Sequence, residues 1–158
     1  MTIGELISAG GGNLKAAECD VQLVKTFHEL KQKSLLDKFK SLFSGKAVVN
    51  SYHVVFKLQV ISTSGKPYTV FIRTNPDFDL KNWEDNECKI YCSCPDFKFR
   101  CAYWLYQRKA LFVNNRIRVE LGQSITDKPK RDPVFSCKHS MAALQWLIKN
   151  YANLMRTV

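Results

Sequence analysis

Cys92-Ser93-Cys94 and Cys137-Lys138-His139 constrain this chain most, because they deliver four soft ligands as two tight pairs far apart in sequence. Three thiolates and an imidazole form the donor set of a tetrahedral structural zinc site, which Zn²⁺ accepts without any redox preference. A fold that uses them must bring residue 92 beside residue 137. Residues 87–94 alternate, so a strand can turn Cys92 and Cys94 to one side, and Pro95 ends that strand. Downstream, Leu144, Leu147, Ile148, Tyr151 and Met155 recur at helical spacing, which predicts an amphipathic helix beginning near Cys137. With Cys137 at the cap and His139 in the first turn, both can face one ion, and a helix N-terminus favours thiolates. The two pairs then clip a strand end to a helix start.

Six cysteines in 158 residues also fit an even-numbered disulfide framework of a small secreted domain. However, Met1-Thr2-Ile3-Gly4-Glu5 has no basic stretch and Leu6-Ile7 runs into glycines, so no secretory signal is read and a reducing compartment is expected. There the CxC and CxH pairs favour metal over cystine, and two cysteines one residue apart make a strained ring if they pair with each other. Cys101 is expected at a helical core position, with a reserve role as ligand should His139 turn away. Cys88 shares a strand face with Cys92 but lies about 13 Å along it, too far for one ion. Cys19 reads as an ordinary thiol.

The order C-x-C, spacer, C-x-H resembles the SWIM-type zinc finger. The words Cys-Ser-Cys-Pro-Asp-Phe-Lys-Phe-Arg, from residue 92, and Cys-Lys-His, from residue 137, are similar to the version found in uncharacterised tailed-bacteriophage proteins. The likeness covers about residues 68–150, with a spacer, residues 95–136, that is long for the family. It implies zinc as cofactor, held by Cys92, Cys94, Cys137 and His139. It also implies a structural protein of a tailed-phage virion, an adaptor docking to larger particle components. Phage structural proteins would be its partners and the assembly would set its oligomeric state, in the host cytoplasm during assembly and then in the virion.

At 158 residues and 46% hydrophobic, the chain can close one core, and no stretch approaches the roughly 20 apolar residues that span a bilayer. Residues 8–13 form a glycine-rich break that sets off residues 1–19 as an N-terminal arm, too poor in local core to hold itself down, before a single domain over 20–158. Apolar spacing across residues 20–43 suggests one or two helices. Residues 47–62, a turn at Ser64-Gly65-Lys66-Pro67 and residues 68–73 read as a hairpin, and residues 88–94 add a third strand. Asp96 resembles an N-cap for a helix to about Phe112, with Phe99 and Trp104 spaced for a core. Residues 116–121 alternate like a short extra strand, and residues 126–133 are a charged, proline-bearing loop. The expected fold is α+β, a small antiparallel sheet with packed helices clipped by one structural zinc site.

Four protein ligands leave no coordination position for an activated water, and the chain has no GxSxG, HExxH or phosphate-binding glycine loop, so no enzyme is expected. The net charge of +10 supplies the alternative function, a nucleic-acid-binding accessory protein. Lys98, Arg100, Arg116, Arg118, Lys128, Lys130 and Arg131 are its candidate residues, gathered near the metal corner, with Phe99, Tyr103, Trp104 and Tyr106 interleaved for stacking on unpaired bases.

Overall fold

Val54, Phe56, Leu58 and Val60 alternate with Lys57 and Gln59, which suits a pleated strand with one well-buried face, and Ser64-Gly65 then reverses the chain. The computed structural model describes residues 1–9, 16–30, 52–75, 77–79, 81–154 and 156. Among these residues four strands, β1 (Asp20–Leu30), β2 (Tyr52–Ile61), β3 (Pro67–Thr74) and β4 (Cys88–Cys92), make one antiparallel sheet in the order β1-β2-β3-β4. The expected hairpin is β2–β3, with Ile61 opposite Pro67 and Val54 opposite Thr74. Gly65 turns it at a φ of 76°, where a side chain would be strained. Among the described residues four α-helices accompany the sheet: α1 (Ile3–Ala9), α2 (Ala102–Gln107), α3 (Asn115–Leu121) and α4 (Lys138–Leu154).

The long helix α4 crosses one face and touches all four strands. Phe56, Ile72 and Ile90 lie side by side across β2, β3 and β4, as do Leu58, Val70 and Cys92. All six are buried, as are Ala143, Leu144 and Leu147 of α4, and the Phe56 ring meets Tyr151 edge-on at 5.9 Å between centroids. On the other face Phe71 stacks on Phe112 at 5.3 Å, and the Tyr91 hydroxyl donates to Glu120 at 2.6 Å, tying α3 to the sheet.

The free edge of β4 is closed from two directions. Cys88 N–H donates to Met1 O and Ile3 N–H to Asn86 O at one end. At the other, Ile90 N–H donates to Ala110 O and Phe112 N–H to Ile90 O. Both additions satisfy backbone groups that an edge strand would otherwise offer to another chain.

Several expectations need correction. The helices expected over residues 20–43 are a strand as far as Leu30, and the remainder lies outside the described residues. The register slips between Leu23 and Lys25, so the strand bulges at Val24, which is 52% exposed. A bulge inserts one residue into a two-residue period, which leaves Val21, Val24 and Phe27 at helix-like spacing. The expected strand over residues 116–121 is helix α3. Asn114 caps it by accepting from Ile117 N–H at 2.9 Å, Ile117 and Leu121 are buried four residues apart, and Gly122 follows at a φ of 51°.

The third strand stops at Cys92 rather than Cys94. The helix after it ends at Gln107, and Leu111 instead pairs with the sheet edge. Phe99, expected in the core, is 65% exposed because a π-turn over Phe97–Cys101, closed by Ala102 N–H on Phe97 O, shifts the helical phase. The N-terminal segment, expected to lack core, has Ile3 and Leu6 at 0% exposure. The glycines at 10–12, the start of the hairpin at 47–51 and Met155 lie outside the described residues.

Candidate metal centre

Two helix starts and one strand end converge at a buried corner. β4 delivers Cys92 from its last position, on the face covered by α4. Two residues on, Cys94 rather than Asp96 caps the next helix: its sulfur accepts from Phe97 N–H at 3.3 Å and its carbonyl from Lys98 N–H at 3.2 Å. Pro95 takes the first helical position, where its missing N–H costs nothing. Asp96 is already helical and pairs with Arg100 one turn later.

Cys137 caps α4 in the same way. Its sulfur accepts from Ser140 N–H at 3.4 Å, and the Ser140 hydroxyl oxygen accepts from Cys137 N–H at 2.9 Å, a reciprocal box. This places His139 in the first turn, where its ring lies 4.4 Å from that of Tyr68 on β3.

The ligand atoms of Cys92, Cys94, Cys137 and His139 all lie within 4.8 Å of one another, and all four residues are buried. This group can hold a metal ion. Cys94 and Cys137 sulfurs are 3.5 Å apart. Two sulfurs bound tetrahedrally to one zinc at about 2.3 Å would stand about 3.8 Å apart, whereas a disulfide needs about 2.05 Å. None of the six cysteines is joined in a disulfide, so no disulfide framework holds the chain. Cys88 and Cys101 are buried outside the group, Cys101 in the π-turn.

The chemistry of the donors fits a cation. Both ring nitrogens of His139 are buried and neither makes a hydrogen bond of good geometry, though the ring is near enough to Cys137 to help hold its thiolate, an arrangement that costs free energy unless a metal takes one nitrogen. Hydrogen bonding to Cys137 pushes the Cys94 thiol up to about 12, and burial, followed by the bond to Cys137, raises Cys92. Burial opposes a Cys137 thiolate too, yet hydrogen bonds from Cys92 and Cys94 outweigh it and hold that group well below the usual thiol range. A cation among the three sulfurs would take the place of those shared protons.

The seven basic residues expected at one patch are divided. Arg100, Lys130 and Arg131 line a groove of about 530 Å³ beside Pro95, together with Phe99, Asp96 and Asp132. Lys98 is turned to Glu120 O at 2.8 Å, and Lys128 sits over the Trp104 ring at 5.7 Å. Arg116 lines a recess with Tyr91 and Glu120, and Arg118 a separate cleft with Arg73. Helix α3, where a strand was expected, carries the last two away from the groove beside Pro95, and Lys98 reaches that helix at Glu120 O.

Sequence reasoning missed Tyr68 and Ser140. A serine three residues after Cys137 is a legible capping signal, while the Tyr68–His139 stack joins residues too distant in sequence to be read. Compared with known proteins, the chain matches no family model, no curated protein and no solved structure. Among the described residues, no helix is long and apolar enough to cross a membrane.

Proposed function

We propose that the centre binds zinc as a structural staple, and that the protein is a non-enzymatic SWIM-type module acting as an adaptor in a tailed-phage virion. The observation that carries the zinc reading is the buried set of three sulfurs and one imidazole, with neither His139 nitrogen in a hydrogen bond of good geometry. Four protein donors fill a tetrahedral shell, so Cys92, Cys94, Cys137 and His139 would hold the ion and leave no position for water activation. What zinc supplies there is cross-linking: it ties the end of β4 to the start of α4. The wording around Cys92 and Cys137 supports the virion adaptor. Elemental analysis of protein purified without chelators should give one zinc per chain, and mass spectrometry should find the chain in purified particles. A metal-free folded protein would overturn the staple, and absence from particles would overturn the adaptor.

A second reading, nucleic-acid binding, is favoured by the exposed Phe99 ring in the groove with Arg100, Lys130 and Arg131, a cationic wall beside a stacking surface. Binding of single-stranded DNA that weakens with salt and with Lys130→Gln/Arg131→Gln would support it, and no binding in low salt would discard it.

A further inference from the structure

Arg73 and Lys89 stand directly opposite each other on β3 and β4, on the face that α4 leaves uncovered. Like charges in that position repel across a strand pair, so the pairing destabilises the sheet unless something offsets it. Arg73 has a partner in Glu29 at 3.4 Å. For Lys89, burial first and then the charge of Arg73 disfavour the ammonium, Glu29 and Glu87 favour it, and Lys109 adds a smaller repulsion. Lys109 and Arg118 complete a cleft of about 490 Å³ whose lining, among the described residues, includes four cationic side chains and no carboxylate. Leu111 and Val113 give it apolar wall, and Tyr106, 38% exposed, adds an aromatic ring. An adjoining recess shares Arg73, Lys89 and Lys109 and adds Arg108, with Glu87 also in its lining.

We propose that this cleft binds a nucleotide, its phosphates held by Arg73, Lys89, Lys109 and Arg118 and its base against Tyr106. A phosphate group between Lys89 and Arg73 would convert a repulsive cross-strand pair into two charge-assisted contacts, and guanidinium groups grip phosphate oxygens in pairs. The volume suits a nucleotide-sized ligand, and a tyrosine face accepts any base. The same chemistry is offered by a free nucleoside triphosphate and by one unit of a single strand. The inference rests neither on the zinc nor on the groove beside Pro95, whose lining shares no residue with this cleft.

The test uses the full chain with its metal as purified, a labelled short oligothymidylate followed by fluorescence anisotropy, and ATP as a separate probe and competitor. Lys109→Gly is the informative variant: Lys109 has a φ of 55°, which glycine adopts without strain, so the charge leaves while the backbone is suited. Lys89→Gln is the second variant, and the melting temperature of each is measured alongside. Each should weaken binding several-fold and lower the salt slope by about 1, with Lys149→Gln, an exposed charge on α4, close to wild type. Displacement by ATP at comparable concentration identifies the free nucleotide as ligand, and binding of the strand alone identifies the strand. No binding of either probe in low salt, wild-type binding by both cleft variants, or an equal loss in Lys149→Gln would overturn the proposal.

Discussion

Cys137 has two roles that a single substitution can separate. Its sulfur caps α4 and also belongs to the clustered donor group. Serine is among the best N-cap residues, so Cys137→Ser keeps the cap while removing the soft ligand. We expect it to lose the metal and about 5 kcal/mol or more, a fall of roughly 10 °C or more in Tm for a chain of this size. Cys92→Ser should behave alike. Cys101→Ala, outside the donor group, should retain one metal ion per chain by elemental analysis; a metal-free Cys101→Ala protein would bring that thiol into the ligand set. The donors were legible because ligand chemistry restricts residue type and spacing so tightly. Their support was not, since the Tyr68 ring reaches His139 only through the sheet.

Helix α3 depends on its ends more than on its pattern. Arg116-Ile117-Arg118-Val119-Glu120-Leu121 alternates as a strand would, yet Ile117 and Leu121 are buried four apart and Val119 is 82% exposed. What decides is Asn114 at the start and Gly122 at the finish. Asn114→Ala leaves Ile117 N–H without its acceptor and should cost about 0.5–2 kcal/mol in urea unfolding, whereas Val119→Ala should stay within about 0.5 kcal/mol. The same contrast explains which elements could be read from sequence. The β2–β3 hairpin and α4 carry one unbroken period and a turn or cap signal, while β1 changes phase at its bulge. Period-based reading fails at a phase change because the inserted residue mimics the other period.

At the scale of the molecule, the α+β architecture was legible from strand and helix patterns, while the place of the N-terminal segment was not. Residues 10–15 lie outside the described residues, but Ile3 and Leu6 on their far side are fully buried, and Leu6 O accepts from the Ser136 hydroxyl at 3.4 Å, just before the second ligand pair. Leu6→Ala should therefore cost about 2–5 kcal/mol in the isolated chain. Hydrogen exchange should show the amides of Ile3 and Leu6 protected without any partner, since both donate to backbone carbonyls.

The clip between Cys94 and Cys137 has a topological corollary. With a cation in place, residues 94–137 form a ring closed by coordination, and the exposed Lys130 and Arg131 are on its outer rim. One tryptic cut there would open the ring yet leave its two halves joined through the coordinated cation. The two fragments should co-elute by size exclusion under native conditions and be far easier to separate once a chelator is added, so that a backbone break becomes a latent, metal-gated disassembly.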